Sequence, residues 1–452
     1  MSRPRETIAA LATPVGTAAI ALLRVSGDES ARLARDIFGK TPPPRGARHG
    51  DYCDRNGTLV DDVVFTFFRG PGSYTGEDSL EISCHGNPFI AHRILEDLLS
   101  RGCRAAMPGE FTQRAFLNGR MDLAQAESVM DLIHARSERA LAAANHQLRG
   151  SLGRRMNGLS SGLLDVLARV EAYIDFPDED LPPEDQAIVG ARVREILRES
   201  ERLLASSRYG EILRDGLKTV IVGEPNAGKS SLLNRLVGRE RALVSSEAGT
   251  TRDFIEERIM IGPHCLRLID TAGLNPTPGA IEKMGIAKTL ERAEEADLIL
   301  LVLDTGRPVP EFVPELAGRI RKGPTIIVWN KSDVTARPPG AATGLGAQRE
   351  FSVSALTGDG CEALASAIAL VADEFQTDTG ADVVAISARH AEALTRAQIA
   401  LREVLAKLGA RIGSELLASD LREALAAFGE ITGGVDNELM LDRLFSTFCI
   451  GK

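Results

Sequence analysis

The run Gly223-Glu224-Pro225-Asn226-Ala227-Gly228-Lys229-Ser230 constrains this chain more than any other stretch. It follows the apolar Thr219-Val220-Ile221-Val222 and leads into Ser231-Leu232-Leu233-Asn234-Arg235-Leu236. Strand, glycine-rich loop, helix is the setting in which such a pattern reads as a phosphate-binding loop. Backbone N–H groups and the helix N-terminus then point at an anion. Lys229 adds a charge for the β- and γ-phosphates, and the Ser230 hydroxyl can ligand Mg²⁺. The other reading, a glycine turn ahead of a core helix, is narrowed by three stretches downstream.

Asp270-Thr271-Ala272-Gly273 follows the apolar Leu266-Arg267-Leu268-Ile269 and is placed to hold the Mg²⁺ shell and sense a γ-phosphate. Asn330-Lys331-Ser332-Asp333 follows Thr325-Ile326-Ile327-Val328-Trp329. The Asp333 carboxylate can accept hydrogen bonds from guanine N1–H and the N2 amine, whereas adenine would leave that acceptor unpaired. Ser354-Ala355 follows Phe351-Ser352-Val353 and suits a backbone contact to the base oxygen. Four motifs in this order, each at a strand end, resemble the translation-factor-related GTPases, and the site reads as one for GTP.

With 452 residues the chain has room for two to four domains, each with its own core. Lys and Arg number 53 against 63 Asp and Glu, a net charge of −10, which argues against indiscriminate coating of nucleic acid. Aromatic residues are 4%, with one Trp, so stacking platforms for single strands are not expected. The six cysteines follow no metal-ligand spacing and read as reduced thiols of a cytoplasmic protein. No apolar stretch reaches the roughly 20 residues needed to span a bilayer, so no membrane is expected.

Residues 1–119 mix strand-like runs (7–12, 18–25, 59–68 and 79–84) with turns and one amphipathic helix over 91–100, an α+β domain. His85 reads as a structural histidine. From residue 120 the apolar spacing turns helical over 122–149, 153–174 and 187–213. Arg136, Arg139, Arg149, Arg154 and Arg155 form a basic cluster there, either a solvated helix face or an RNA contact. Residues 215–376 alternate strands and helices as a parallel doubly wound sheet demands. Helices resume after 377 over 387–408, 414–428 and 437–448. The fold class expected is thus multidomain α/β, with a P-loop GTPase domain (215–376) inserted in an α-helical domain (120–214 and 377–452) and an α+β domain in front. A separate helical domain after 377 is the alternative.

Ras-like enzymes place a water-orienting Gln just after Asp-x-x-Gly. Here that position is Leu274, which cannot hydrogen-bond. Asn226 could help coordinate a monovalent cation beside the phosphates, with carbonyls from residues 244–248 completing the shell, or could simply cap its loop. Glu282 could position the water or be surface charge.

Several separate stretches resemble the bacterial tRNA-modification GTPase family MnmE (TrmE). They are Ala12-Thr13-Pro14 with Leu23-Arg24-Val25-Ser26-Gly27; Thr75-Gly76-Glu77-Asp78 with Leu80-Glu81 and His85-Gly86; Pro108-Gly109-Glu110-Phe111-Thr112 with Arg114-Ala115-Phe116-Leu117-Asn118; Asp122-Leu123-Ala124-Gln125-Ala126-Glu127; Gly249-Thr250-Thr251-Arg252-Asp253; and Phe448-Cys449-Ile450-Gly451-Lys452. The Gly-Thr-Thr-Arg-Asp loop also occurs in ribosome-assembly GTPases. A GTP-driven switch in ribosome assembly is therefore the alternative function, and folate binding by the first 118 residues separates the two.

The resemblance implies a folate-binding N-terminal domain that forms a homodimer. It also implies a heterotetramer or larger complex with the FAD-containing MnmG, which adds an aminomethyl or carboxymethylaminomethyl group at C5 of the wobble uridine of certain tRNAs. The one-carbon donor would be 5,10-methylenetetrahydrofolate, with 5-formyl-tetrahydrofolate as an analogue. Arg24, Glu81, Arg120 and Lys452 match the folate contacts, with Arg120 where the family commonly has Lys. Asn226, Ser245, Glu247 and Thr250 match the K⁺ ligands, Ser230 and Thr251 the Mg²⁺ ligands, and Glu282 the catalytic water-orienting residue. Cys449 matches a cysteine near the folate site that matters for modification, either inert or a nucleophile. The expected GTP contacts are Asn226, Ala227, Gly228, Lys229, Ser230 and Ser231; Ser245, Ser246, Glu247, Ala248, Gly249, Thr250 and Thr251; Asp270, Thr271, Ala272 and Gly273; Asn330, Lys331 and Asp333; and Ser354, Ala355 and Leu356.

Overall fold

The computed structural model describes residues 6–39, 43–174, 183–239, 257–269, 290–335, 349–375, 385–410, 413–434 and 438–451. The chain divides into two compact units, Met1–Met130 with Gly429–Lys452, and Asp131–Phe428. Among the described residues no helix is long and apolar enough to cross a membrane.

The first unit is built on strands β1 (Ile8–Leu11), β2 (Ile20–Ser26), β3 (Ala47–Cys53), β4 (Leu59–Phe68), β5 (Ser79–His85) and β6 (Arg104–Ala105), in the order β3-β4-β5-β2-β1-β6. Pairing is antiparallel throughout except β1 with β6. The period-2 alternation of β2 and β5 decides what each face carries. Leu23, Val25, Leu80 and Ile82 point into a core shared with helices α1 (Ser30–Phe38) and α2 (Pro88–Ser100), through Leu33, Ile94 and Leu98. The alternate residues Arg24 and Glu81 take the opposite face and stand directly across from each other in the ladder. That face also carries Ile8 and Ala10, packed with Phe111 of α3 (Glu110–Leu117) and with Tyr74.

Sequence patterning misses β3, whose Ala-Arg-His-Gly-Asp-Tyr-Cys buries only Tyr52, as an edge strand can. His85 is bonded to Asp61, with Nδ1 2.8 Å from Oδ1, which fits a structural histidine.

In the second unit the strands are β7 (Leu217–Val222), β8 (Glu257–Ile261), β9 (His264–Ile269), β10 (Leu298–Asp304), β11 (Thr325–Asn330) and β12 (Arg349–Ser352). Their order is β12-β11-β10-β7-β9-β8, parallel except for the β8–β9 hairpin. Central strands buried on both faces read as unbroken apolar runs, as Leu298-Ile299-Leu300-Leu301-Val302-Leu303 does. Leu300 and Val302 join the core on one side, and Ile299, Leu301 and Leu303 the core on the other. Helices cover both faces, so the sheet is doubly wound as expected.

The helical stretch expected unbroken over 122–149 is two helices, α4 (Leu123–His134) and α5 (Glu138–Leu148). Ser137 adopts an extended backbone and its hydroxyl accepts the Ala140 N–H at 3.1 Å, so an N-cap restarts the helix. The stretch 187–213 likewise divides into α7 (Pro183–Ala205) and α8 (Ser207–Asp215), with α6 (Ser151–Ile174) before them. Apolar periodicity continues across both breaks, which is why spacing alone does not find them. Of the basic cluster, Arg139 reaches Asp373 at 3.4 Å and Arg154 donates to the Arg149 carbonyl at 2.7 Å, contacts within the unit.

Candidate functional site

At the carboxyl end of β7 the chain turns through residues 223–228 into α9 (Lys229–Arg239). Gly223 lies where a Cβ would sit 2.1 Å from the Val302 carbonyl oxygen, so only glycine lets this loop press against β10. Asn226 is left-handed, with φ 67°, and exposed. Lys229 donates from Nζ to the carbonyls of Gly223 and Glu224, both at 2.8 Å. Burial pushes its pKa down and the Glu224 carboxylate opposes that. The ammonium is thereby fixed over the loop before any phosphate is considered. Ser230 and Ser231 are exposed in the first turn of α9, where the positive end of the helix dipole lies.

Asn330 ties three motifs together. Its Nδ2 donates to the Ala227 carbonyl at 2.9 Å, and its Oδ1 accepts the Ala355 N–H at 3.0 Å. Asp333 is exposed, and the Ser354 hydroxyl donates to its Oδ1 at 2.6 Å, which orients the carboxylate. Lys331, left-handed with φ 66°, has its ammonium 2.7 Å from Asp304 Oδ2, while the Thr305 hydroxyl donates to its carbonyl at 3.0 Å. Leu356 is exposed beside Ala355. The arrangement brings a phosphate-type loop and a base-type carboxylate to the same end of one sheet.

In the first unit, Arg24 makes a two-nitrogen pair with Glu81, at 2.9 Å from Nε and 2.8 Å from Nη2. Its guanidinium carbon stands 5.4 Å from the Tyr74 ring centroid and 5.8 Å from that of Phe111, within cation–π range. Arg24 also donates to the Gly451 carbonyl at 3.4 Å. Residues 448–451 reach it because Gly109 donates to the Cys449 carbonyl at 3.3 Å, and because Gly451, at φ +92°, lets its Cα approach β1: a Cβ there would be 2.6 Å from the Leu11 oxygen. Cys449 is an exposed free thiol. Arg120 is exposed, and its Cγ would lie 3.3 Å from a Cβ on Gly76, in the same 72–78 loop as Tyr74.

A family model described as "GTP-binding protein TrmE N-terminus" matches residues 7–120, and one described as "MnmE helical domain" matches residues 123–449. The protein named tRNA modification GTPase MnmE in Opitutus terrae is 57% identical over 450 residues, 99% of each chain. Those of Akkermansia muciniphila and Symbiobacterium thermophilum are 42% and 43% identical over 457 residues, covering 100% and 99% of each chain. The chain belongs to the MnmE family.

Of the residues expected to serve an MnmE protein, the structure gathers Asn226 to Ser231, Asn330, Lys331, Asp333 and Ser354 to Leu356 at one end of the second sheet. It pairs Arg24 with Glu81 in the first unit. Ser245, Ser246, Glu247, Ala248, Gly249, Thr250 and Thr251 lie outside the described residues, as do Asp270, Thr271, Ala272, Gly273, Leu274, Glu282 and Lys452. Sequence reasoning missed Tyr74 and Phe111 as walls around Arg24, and Asp304 as the partner of Lys331. Phe111 stands inside a stretch that carries the MnmE resemblance, and Tyr74 directly precedes another. Asp304 closes an apolar strand, the position at which α/β sheets present ligand-binding groups.

Gly228→Ala tests the Asn330 tie. A Cβ at residue 228 would stand 2.1 Å from Asn330 Nδ2, at a φ of +91° that alanine resists. Strain of about 1–2 kcal/mol adds to a lost buried hydrogen bond of about 1–3 kcal/mol. GDP affinity, measured by titration, should fall by about tenfold or more.

Proposed function

We propose that this chain is a GTP hydrolase acting in tRNA modification. The observation that carries the nucleotide choice is the Asp333 carboxylate, fixed by Ser354 while Asn330 ties that region to the phosphate-type loop. Guanine offers the paired donors such an acceptor needs. Mg²⁺ fits the exposed Ser230 hydroxyl, with Thr251 as the further expected ligand; bound there, it would neutralise phosphate charge.

Our finer reading is a K⁺-activated enzyme. Leu274 cannot orient water, and the exposed Asn226 amide suits a monovalent cation completed by backbone oxygens of Ser245, Glu247 and Thr250. Such a cation would supply positive charge where other enzymes use an arginine, whose effect is about 10³–10⁵ in rate. Hydrolysis should therefore be at least about tenfold faster in K⁺ than in Na⁺. Asn226 is left-handed, so Asn226→Gly keeps the backbone while removing the amide, and should abolish the K⁺ response. A full K⁺ response in that variant would remove Asn226 from the cation site.

For the first unit we read a tetrahydrofolate site. The Glu81 carboxylate, aligned by Arg24, whose guanidinium lies over the rings of Tyr74 and Phe111, suits the paired N–H donors of a pterin. Arg120 and Lys452 would add positive charge for the glutamate tail. Arg24→Ala should weaken 5-formyl-tetrahydrofolate binding by about tenfold or more, as loss of a charge-assisted pair does. The carbon carried by 5,10-methylenetetrahydrofolate would go, with an FAD-containing MnmG partner, to C5 of the wobble uridine as an aminomethyl or carboxymethylaminomethyl group. A cytoplasmic homodimer is the working assembly in this reading, with its two GTPase domains meeting during hydrolysis. Mass analysis of tRNA nucleosides from cells lacking the chain tests it: unchanged wobble uridines would overturn it.

A further inference from the structure

A cavity of about 340 Å³ lies where the end of α4, the face of α5, the end of α8 and the start of β8 meet, all within the second unit. Ligand pockets generally run from about 300 to 1,000 Å³, so this one suits a single small ligand. Its apolar lining comes from Ala140, Ala143, Ala144, Leu213 and Ala385, and all of these but Ala144 belong to one buried cluster. The remainder carries three guanidinium groups, of Arg136, Arg214 and Arg258, together with His134, Asp131 and Asp215.

The state of these cations points to an anion. Arg258 is half-buried on β8 and, among the described residues, makes no hydrogen bond or ion pair. A guanidinium has five N–H donors and cannot shed its charge, so leaving it partly desolvated without an acceptor is unfavourable. Arg214 gives one bond, to the Ile386 carbonyl at 3.1 Å, and keeps further donors. The Cys265 thiol, pushed up by burial, is pulled back by both Arg258 and Arg136, so those two charges act on one neighbourhood. Guanidinium groups arranged in this way match a phosphate, which they bind with paired N–H···O bonds. The apolar lining then asks for an uncharged flat body attached to the anion. Asp215, exposed at the end of α8, is an acceptor of the kind carboxylates offer to ribose hydroxyls.

We propose that this cavity is a second nucleotide-binding site, taking a nucleoside monophosphate unit. Its phosphate lies on Arg258, Arg214 and Arg136, its base lies on the apolar lining, and its ribose faces Asp215. The unit comes either from a free nucleotide or from one residue of an RNA strand. The site shares no residue with the loop at 223–230 or with the base-reading stretch at 330–333. Arg258 stands on β8, which pairs with β9 beside β7, the strand that leads into the loop at 223–228. A ligand bridging Arg258 to α5 and α8 would therefore bias nucleotide binding there, and be biased by it to the same degree.

Equilibrium dialysis of radiolabelled AMP against the full chain, with the P-loop held saturated by GDP, reads the site directly, because adenine does not satisfy Asp333. One AMP per chain is expected. Ala143→Trp, which fills the cavity, and Arg258→Glu should each weaken it by about tenfold or more, while GDP binding at full stoichiometry shows the variants are folded. A parallel arm uses an unstructured RNA trinucleotide: tighter binding than AMP assigns the site to RNA, and equal or weaker binding assigns it to free nucleotide. Absence of both ligands, or binding indifferent to both substitutions, would overturn the proposal. Neither outcome depends on potassium or folate; the test rests on the reading of the GTP site, whose failure shows separately as absent GDP binding.

Discussion

Replacing Lys229 with alanine is expected to lower the rate of GTP hydrolysis by about two to three orders of magnitude, the usual loss when one pre-positioned donor to developing charge is removed. The side chain is already oriented, with Nζ held at 2.8 Å by each of two carbonyls of its own loop. Little reorganisation is then needed when a triphosphate arrives, and the contact can act in the transition state. Burial disfavours the Lys229 charge, so removing it should leave the melting temperature unchanged or slightly higher. Single-turnover hydrolysis at saturating GTP, with Mg²⁺ and K⁺ fixed, measures the first effect. A rate within a few-fold of the native protein would exclude Lys229 from the reacting phosphates.

Arg114→Met should destabilise the first unit by about 3–5 kcal/mol, the cost of stranding buried carboxylates. Arg114 is nearly inaccessible and holds Glu77 at 3.0 Å and Glu110 at 2.9 Å, both carboxylates nine-tenths buried. Burial pushes the Glu110 carboxyl up, but hydrogen bonds from Arg104, the Met107 amide and Arg114 outweigh it and hold it below its ordinary value. The sign of the pH effect follows. A depressed carboxyl contributes stability above its unfolded pKa of about 4.3, and loses it as pH falls through the lower folded value. Without Arg114 the folded value rises toward the unfolded one, so this carboxyl should contribute a smaller loss of stability on acidification than it does in the native unit. Amide exchange of β1 and β2 reports this, since the lone tryptophan, Trp329, belongs to the other unit. Glu77→Gln and Glu110→Gln in the Arg114→Met background should recover part of the loss. No recovery would mean that packing, not charge, sets the effect.

The strand-end motifs gathered at one end of the second sheet are legible in the sequence because phosphate and base chemistry would place few residue types at fixed distances from strand ends. Gly223, Lys229, Asn330 and Asp333 can be read without any knowledge of packing. What joins them is less visible: the Asn330 bonds to Ala227 and Ala355 link residues 103 and 25 positions away. The helix breaks at Ser137 and Ser206 escaped for a different reason, since apolar spacing resumes in phase after each serine. In the first unit, alternation showed that β2 and β5 were strands but not that they were neighbours. Only the register brings Arg24 across from Glu81, and only the loop at 72–78 and α3 bring the rings of Tyr74 and Phe111 to them.

The seating of residues 438–451 against α3 and β1 has a consequence for how the protein is made. Phe445 and Phe448 close a cluster with Leu123 and Ala126, and Gly451 lies against Leu11, all in a unit whose strands are translated first. At about 5–20 residues per second, the intervening unit takes roughly 15–60 s to emerge. For that interval the nascent N-terminal sheet waits with Phe116, Leu123 and Ala126 lacking their partners from the helix Glu438–Phe445, a half-finished surface that a chaperone holdase would be suited to shield.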